Sequence, residues 1–394
     1  MAASLPFLEP GQIGSLHLKN RLVRTATSES MAAANGDATD EHVRLYSDLA
    51  AGGAGLLITG HLYVEPRGKY KTRQSGLDDD ARIPGWKRVT SAVHDKGGVI
   101  FAELSHAGSQ SVVEGITPIA PSVIPNAIFG REPQEMTEAD IAEVIGFFGA
   151  AAKRAMAAGF DGIHIHSGNG YLLSEFNSPH ANHRNDAWGG DAERRGRFLI
   201  EVYKAIRMAV GSNIPVTARI GIADAVEHGL TVEESLDRAA ELEAQGLDGI
   251  ETTYGIMNTY QENIRPYVGV TPLRAIADVL PHRIFAAKVP EAYYRPFARA
   301  VKQRVKIPVI LIGGMRTTET MADVLQSGDA DFIAMARPFI REPDLPKQFA
   351  AGRRGLVDCV SCNLCLRHEG LDSLQCWRTP SRIVSHIYKY YIRR

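Results

Sequence analysis

No apolar run in the sequence approaches the roughly 18 residues that a membrane-spanning helix needs, so no bilayer-spanning segment is expected. The opening stretch, Met-Ala-Ala-Ser-Leu-Pro-Phe-Leu-Glu-Pro, has neither a basic n-region nor a continuous apolar core and does not read as a secretory signal. A soluble protein with a cytoplasmic address is the expectation. Net charge is missing too, since 44 basic residues stand against 45 acidic ones. Without a field to gather polyanions, neither nucleic acid nor an anionic bilayer is an expected partner, which leaves a small molecule. Cysteine is scarce and confined: all four lie between Cys359 and Cys376, a metal-site distribution more than a disulfide framework. Low-complexity linkers and charge runs are absent up to about residue 350. The 394 residues therefore read as one large domain followed by a short tail.

What the chain has in quantity is alternation. Short β-rich runs at 21–26, 54–59, 98–104, 161–166, 215–220, 247–253, 308–313 and 331–336 are separated by helical stretches. Strand, helix, strand in that rhythm makes a parallel sheet, and eight parallel strands close a barrel. The predicted fold class is α/β, a (β/α)8 TIM barrel over residues 1–355, with residues 356–394 as a C-terminal segment carrying the cysteines and a helix. The phrase Gly-Phe-Asp-Gly-Ile-His from Gly159 returns as Gly-Leu-Asp-Gly-Ile-Glu from Gly246 and more loosely from Gly328, each Gly turning a helix into the next strand. Thr231-Val-Glu-Glu234 reads as a capping box and Thr137-Glu-Ala-Asp140 as its acidic variant. Behind the second, Ile141, Val144, Ile145 and Phe148 recur at helical spacing. Residues 7–18 read as a small hairpin that plugs the barrel's bottom. Two connections, 105–136 and 254–307, are long enough to be lids or binding loops.

Reacting groups of such barrels sit where strands end and the following loops begin, with phosphates favouring the loops after strands seven and eight. Here Ala26, Thr27 and Ser28 follow strand one, Glu103 ends strand three, His166 ends strand four and Arg219 ends strand five. Gly313 and Gly314 follow strand seven, and Ala336 and Arg337 follow strand eight. Two glycines let a backbone approach a phosphate, and an Arg adds a fork of donors; a plain tight turn and a helix cap explain the same residues. His166, Asn169 and Tyr171 are a sharper set. His and Asn can both donate to one ligand oxygen, while a phenol two residues on can deliver a proton. His164 shares a strand face with His166, and either also fits as a satisfied interior histidine.

At these residues the chain resembles the old yellow enzymes, NAD(P)H:flavin oxidoreductases that use FMN in a (β/α)8 barrel. The resemblance spans about residues 6–350. It rests on Ile13-Gly-Ser-Leu-His-Leu-Lys-Asn-Arg-Leu-Val, Glu103-Leu-Ser-His-Ala-Gly, the run from Asp161 through Asn182, Trp188-Gly-Gly and Pro308-Val-Ile-Leu-Ile-Gly-Gly. It implies that His166 and Asn169 hold a carbonyl or nitro oxygen and that Tyr171 protonates the α-carbon after flavin N5 has given hydride to the β-carbon. It implies further that Arg219 lies by the flavin N1/O2 edge, that Ala26, Thr27 and Ser28 line the isoalloxazine, and that Gly313, Gly314, Ala336 and Arg337 belong to the phosphate end. Many relatives have Gln in place of Glu103; the carboxylate still accepts from flavin N3–H, and its charge should lower the potential. Relatives often have Glu in place of His164. A homo-oligomer is expected, and Arg393 or Arg394 is the candidate for reaching a neighbouring subunit's site.

Cys359, Cys362, Cys365 and Cys376 have the number and spacing of an iron-sulfur or zinc site. The segment resembles that of the trimethylamine dehydrogenase and 2,4-dienoyl-CoA reductase branch. That resemblance implies a [4Fe-4S] cluster ahead of zinc, or thiols left unligated by ancestry. A cluster would allow electrons to pass to an external carrier protein. The amine dehydrogenases usually have Tyr and His where this chain has His166 and Asn169. A neutral oxygen-binding pair suits carbonyl activation better than oxidation of a cationic amine. The leading expectation is therefore reduction by NAD(P)H of the C=C bond of an α,β-unsaturated carbonyl compound or related activated alkene. The alternatives are an iron-sulfur dehydrogenase, demethylase or dienoyl-CoA-type reductase, and a flavin-binding subunit without turnover.

Overall fold

The computed structural model describes residues 5–258 and 290–387. Eight strands form the predicted barrel: β1 (Leu22–Arg24), β2 (Leu56–Ile58), β3 (Ile100–Ser105), β4 (Gly162–Ser167), β5 (Val216–Gly221), β6 (Gly249–Thr253), β7 (Val309–Leu311) and β8 (Phe332–Met335). Each pairs in parallel with the next, and β8 returns to pair with β1, so the sheet closes with no edge. Every strand falls inside or within one residue of its sequence-predicted run. The ends are trimmed because the last residues of each run peel off the sheet into loops.

The helices cover the outside. They are α1 (Asp40–Ala51), α2 (Ile83–His94), α3 (Glu138–Ala157), α4 (Ala192–Val210), α5 (Val232–Ala244), α6 (Arg295–Arg304), α7 (Thr318–Gln326) and α8 (Leu345–Ala350). On α3 the predicted stripe faces inward, with Ile141, Val144 and Phe148 fully buried. The acidic variant at Thr137 is the reciprocal capping box: Asp140 N–H donates to Thr137 Oγ1 and Thr137 N–H donates to Asp140. At α5 only half the box forms. Thr231 accepts from Glu234 N–H, but the Glu234 carboxylate turns away to Arg195 at 2.7 Å, a charge-assisted bond that outcompetes a backbone N–H.

The N-terminal hairpin, Gly11–Ile13 against Leu16–Leu18, does plug the bottom. Its Ile13 and Leu18 pack with Val23, Ile58, Phe101, Ile310 and Phe332, the inward side chains of the barrel's N-terminal half. That end of the interior is thus apolar. The C-terminal end is polar, because the register sets Glu103 beside His164, His166 beside Arg219, and Arg219 beside Glu251. The 105–136 connection carries two short strands, Ile119–Ala120 and Gln134–Glu135, that pair with each other. The 254–307 stretch is not one loop, since it contains α6; residues 259–289 of it lie outside the described residues. The C-terminal helix is described over Pro380–Ile387, with Val384 exposed. Arg393 and Arg394 lie outside the described residues. No described helix is long and apolar enough to cross a membrane.

Candidate active site

One large cleft opens at the C-terminal mouth of the barrel and spans about 1430 Å³, space open to solvent included. All the residues picked out at the strand ends line it: Ala26, Thr27 and Ser28 beyond β1, Glu103 on β3, His166, Asn169 and Tyr171 at and beyond β4, Arg219 on β5, Gly313 and Gly314 beyond β7, and Ala336 and Arg337 beyond β8. His164 does not. It sits deeper, fully buried, with Nδ1 2.8 Å from Thr217 Oγ1. Strand alternation puts it on the same inward face as His166 but one layer lower.

The loop after β4 is held in an unusual shape. Asn169 adopts the left-handed conformation, φ 57°, which Asn tolerates better than most residues. Its N–H donates to Tyr254 O at 2.7 Å, and its carbonyl accepts from Gln110 Nε2 at 2.8 Å. Its side-chain Nδ2 donates one hydrogen to Thr253 Oγ1 at 3.1 Å, which leaves the second for a ligand. Tyr171 follows, at the N-terminal boundary of the short helix Leu172–Asn177. Its ring centroid is 4.7 Å from that of His166 and 5.3 Å from that of His61.

The polar floor beneath is charged and compensated. Arg219 Nε and Nη2 donate to Glu251 Oε1 at 3.1 and 2.8 Å, and Thr25 Oγ1 donates to the same carboxylate at 2.7 Å. Arg219 is therefore a compensated charge. Glu103 lies 3.5 Å from Arg219 Nη1. Burial, reinforced by Glu251 and opposed by Arg219, pushes its carboxyl up to about 8. Burial holds the imidazoles of His164 and His166 well below the usual histidine range, with Arg219 adding to the effect. At neutral pH His164 and His166 are neutral rings and Glu103 holds a proton, beside the paired charges of Arg219 and Glu251.

Two cleft residues, His61 and Arg316, and one carboxylate beneath the cleft, Glu251, were not picked out from the sequence. His61 lies just beyond β2, where Gln74 Nε2 donates to its Nδ1 at 3.1 Å and to its carbonyl at 2.8 Å. The Gln74 orientation is set by Tyr70 N–H, which donates to Oε1 at 2.5 Å, so His61 carries its proton on Nε2. Burial drives its imidazole down to about 3. Arg316, two residues beyond Gly314, is buried and lines the cleft, with Nε and Nη2 making no bond to protein. Glu251 was hidden within a strand run. His61 and Arg316 obey the same strand-end rule as the others and were legible by it.

The double glycine has a packing reason of its own. Both residues have positive φ, 109° and 75°, and a Cβ on either would press within 2.9 Å of Tyr293.

The four cysteines come together. Cys359, Cys362, Cys365 and Cys376 line a second, much smaller cavity, and Cys365 and Arg337 line both it and the large cleft. Arg337 Nη1 donates to Asn363 Oδ1 at 2.6 Å, tying the loop after β8 to the cysteine loop. Burial, with the other three sulfurs adding to it, pushes the Cys365 thiol up to about 12. No three described His, Cys, Asp or Glu side chains are already drawn in around a single ion.

Residues 6–355 match the family described as NADH:flavin oxidoreductase / NADH oxidase. The chain is 34% identical over 359 residues to an NADH oxidase of Thermoanaerobacter brockii, covering 90% of this chain but only 52% of that one. It is 32% identical over 373 residues to a 4,4'-dithiodibutanoate disulfide reductase of Rhodococcus erythropolis, covering 91% of each. Among solved structures it superposes on the old yellow enzyme homologue from Zymomonas mobilis with a TM-score of 0.72, at 25% identity, over 96% of this chain and 98% of that one. The chain thus spans about half the length of the NADH oxidase and nearly the whole of the other two.

Proposed function

Because the chain belongs to the NADH:flavin oxidoreductase / NADH oxidase family, and so is an FMN-dependent oxidoreductase, we propose that it reduces the C=C bond of α,β-unsaturated carbonyl compounds or related activated alkenes with NAD(P)H. The residues present suit FMN. Arg316 offers two buried, unpartnered N–H groups to the cleft beside Gly313, Gly314, Ala336 and Arg337, a cationic end fit for a phosphate. Ala26, Thr27 and Ser28 would form a wall for the ring, and Glu103 and Arg219 would hold its polar edge. When bound, FMN supplies hydride transfer at N5, fed by NAD(P)H.

The observation that carries the reading is the grouping of His166, Asn169 and Tyr171 on one side of this cleft. His166 and the second hydrogen of Asn169 Nδ2 hold the substrate oxygen and stabilise charge that develops on it. Tyr171 delivers the proton to the α-carbon. The closed floor of the barrel excludes water from below. Anaerobic protein that NAD(P)H bleaches and cyclohexenone turns yellow again supports this reading. Bleaching by an amine donor alone supports a dehydrogenase in its place.

A second reading concerns where electrons go afterwards, and it rests on the cysteine cavity. Four cysteines lining one cavity supply the number of thiolates that a [4Fe-4S] cluster takes. With Cys365 reaching both cavities, such a cluster would pass single electrons between the cleft and an outside carrier. Iron and acid-labile sulfide near four atoms each per chain are expected in anaerobically purified protein; iron-free protein with full FMN would sink this reading and leave the first intact. The division at residue 355, a homo-oligomer and a cytoplasmic address complete the proposal.

A further inference from the structure

Three buried polar atoms at the floor of the cleft have no hydrogen-bond partner: Oε1 of Glu103, Nδ1 of His166 and Nε2 of His164. They face one another. Oε1 lies 3.5 Å from both His166 Nδ1 and Arg219 Nη1 and 3.9 Å from His164 Nε2, which is itself 3.6 Å from Glu251 Oε2. Native proteins rarely leave such atoms unpaired, because each loses its water without replacement. A neutral imidazole nitrogen without hydrogen is an acceptor, and so is a carboxylate; two acceptors cannot satisfy each other. One hydrogen between them resolves this, carried either by the carboxyl, since COOH is a donor, or by Nδ1.

The choice has a consequence across the ring. Nδ1 is the sealed nitrogen of His166, and Nε2 is the one left to the cleft that His166 lines. If Glu103 is a carboxylic acid, it donates to Nδ1 and the ring carries its hydrogen on Nε2. If Glu103 is ionised, it draws the hydrogen to Nδ1 and Nε2 becomes a bare acceptor. A proton bound at Glu103 thus emerges as a donor in the cleft.

We propose that Glu103 is a positioning residue that holds a proton on Oε1 and donates it to His166 Nδ1, fixing the tautomer in which Nε2–H faces the substrate. The groups surrounding the carboxyl decide its proton. Arg219 on β5 draws it toward ionisation, but that charge is already engaged by Glu251 on β6. Arg24 on β1 is engaged by Glu29 at 3.2 Å in the same way. His164 and His166 on β4 and His61 beyond β2 are neutral by burial. With both arginines countered, burial prevails and the acid form persists to about pH 8. The substrate part of this inference rests on the oxygen-binding role proposed for His166; the tautomer does not.

The test is the ¹⁵N spectrum of histidine-labelled, FMN-loaded protein without substrate, with His166 assigned by its loss in His166→Gln. At pH 6 the expected signature is a protonated Nε2 and a bare Nδ1, exchanging identities as the pH passes about 8. In Glu103→Gln the carboxamide NH₂ keeps donating, so the Nε2–H form should hold to pH 9.5; in Glu103→Met the preference should be lost at every pH. A protonated Nδ1 in the wild type at pH 6, or the same spectrum in Glu103→Met, overturns the proposal. Reoxidation of the reduced enzyme by cyclohexenone should then fall about tenfold per pH unit above 8 in the wild type and stay level in Glu103→Gln. A tautomer that switches while cyclohexenone reoxidation ignores it supports the proton on Glu103 and overturns the oxygen-binding role.

Discussion

Arginine carries much of the cleft's polarity, and its two cleft arginines on β5 and beyond β7 are in opposite situations. Arg219 spends its guanidinium on Glu251 and Thr25, so it contributes oriented donors more than net charge. Arg316 spends only its backbone, accepting from Val357 N–H and donating to Glu291, while Nε and Nη2 stay uncommitted. A buried cation with spare donors is costly unless an anion completes it. Arg316→Met should therefore weaken FMN binding about 10- to 100-fold, some 1.4–3 kcal/mol, and weaken riboflavin binding little. Fluorescence-quenching titrations of both flavins check this, and equal losses would place Arg316 away from the phosphate. Tyr171→Phe tests the proton donor. Stopped-flow reoxidation by cyclohexenone should slow about 10²- to 10⁴-fold, while flavin reduction by NAD(P)H changes little; parallel losses in both would reassign the phenol.

At the scale of the element, the turn after β7 shows how one feature serves two purposes. Gly313 and Gly314 sit at the mouth where a phosphate end is expected, yet they also accept the close approach of Tyr293 and of Pro290 O. Gly314→Ala would strain a backbone at φ 75° and press on both neighbours. It should cost about 1–3 kcal/mol in FMN-free protein, read from the urea midpoint, before any flavin is added. Full stability with lost FMN affinity would mean that the glycines serve the ligand alone. The strands themselves were legible because period and punctuation are local: β-rich runs bounded by Gly, Asp and Pro carry their own signal. The half-formed box at Thr231 was not, because Glu234 answers to Arg195, 39 residues away and on another helix.

Across the whole molecule, buried titratable groups leave a pH signature on stability. His42, His61, His164 and His166 are all pushed down by burial, so the fold disfavours their charged forms. Unfolding lets them protonate below about 6.5, and stability is lost as pH falls from there. Glu103 and Glu175 go the other way. Both are pushed up to about 8 by burial, so the fold holds two protons that the unfolded chain releases above about 4.5. Their contribution is lost as pH rises toward 8. From about 4.5 to 6.5 the four histidines outnumber the two acids and stability should rise with pH; from 6.5 to 8 only the acids act and it should fall. The slopes are about 1–3 kcal/mol per pH unit. Denaturant unfolding of FMN-free protein should show a maximum near pH 6.5, and a plateau from 6.5 to 8 would refute the acid half.

From residue order alone came the eight strands, the barrel they close, the plug, and most of the cleft: chemistry at strand ends is readable because a parallel barrel sends every strand end to one mouth. His61 and Arg316 stood at such ends and obeyed the same rule. What only the tertiary structure decided is how those side chains are compensated. Glu251 neutralises Arg219 and three unpartnered atoms meet around Glu103, because register brings together residues from β3, β4, β5 and β6 that lie up to 148 positions apart. Charge state in a dry interior depends on neighbours across that gap and on burial, and neither is written in local sequence.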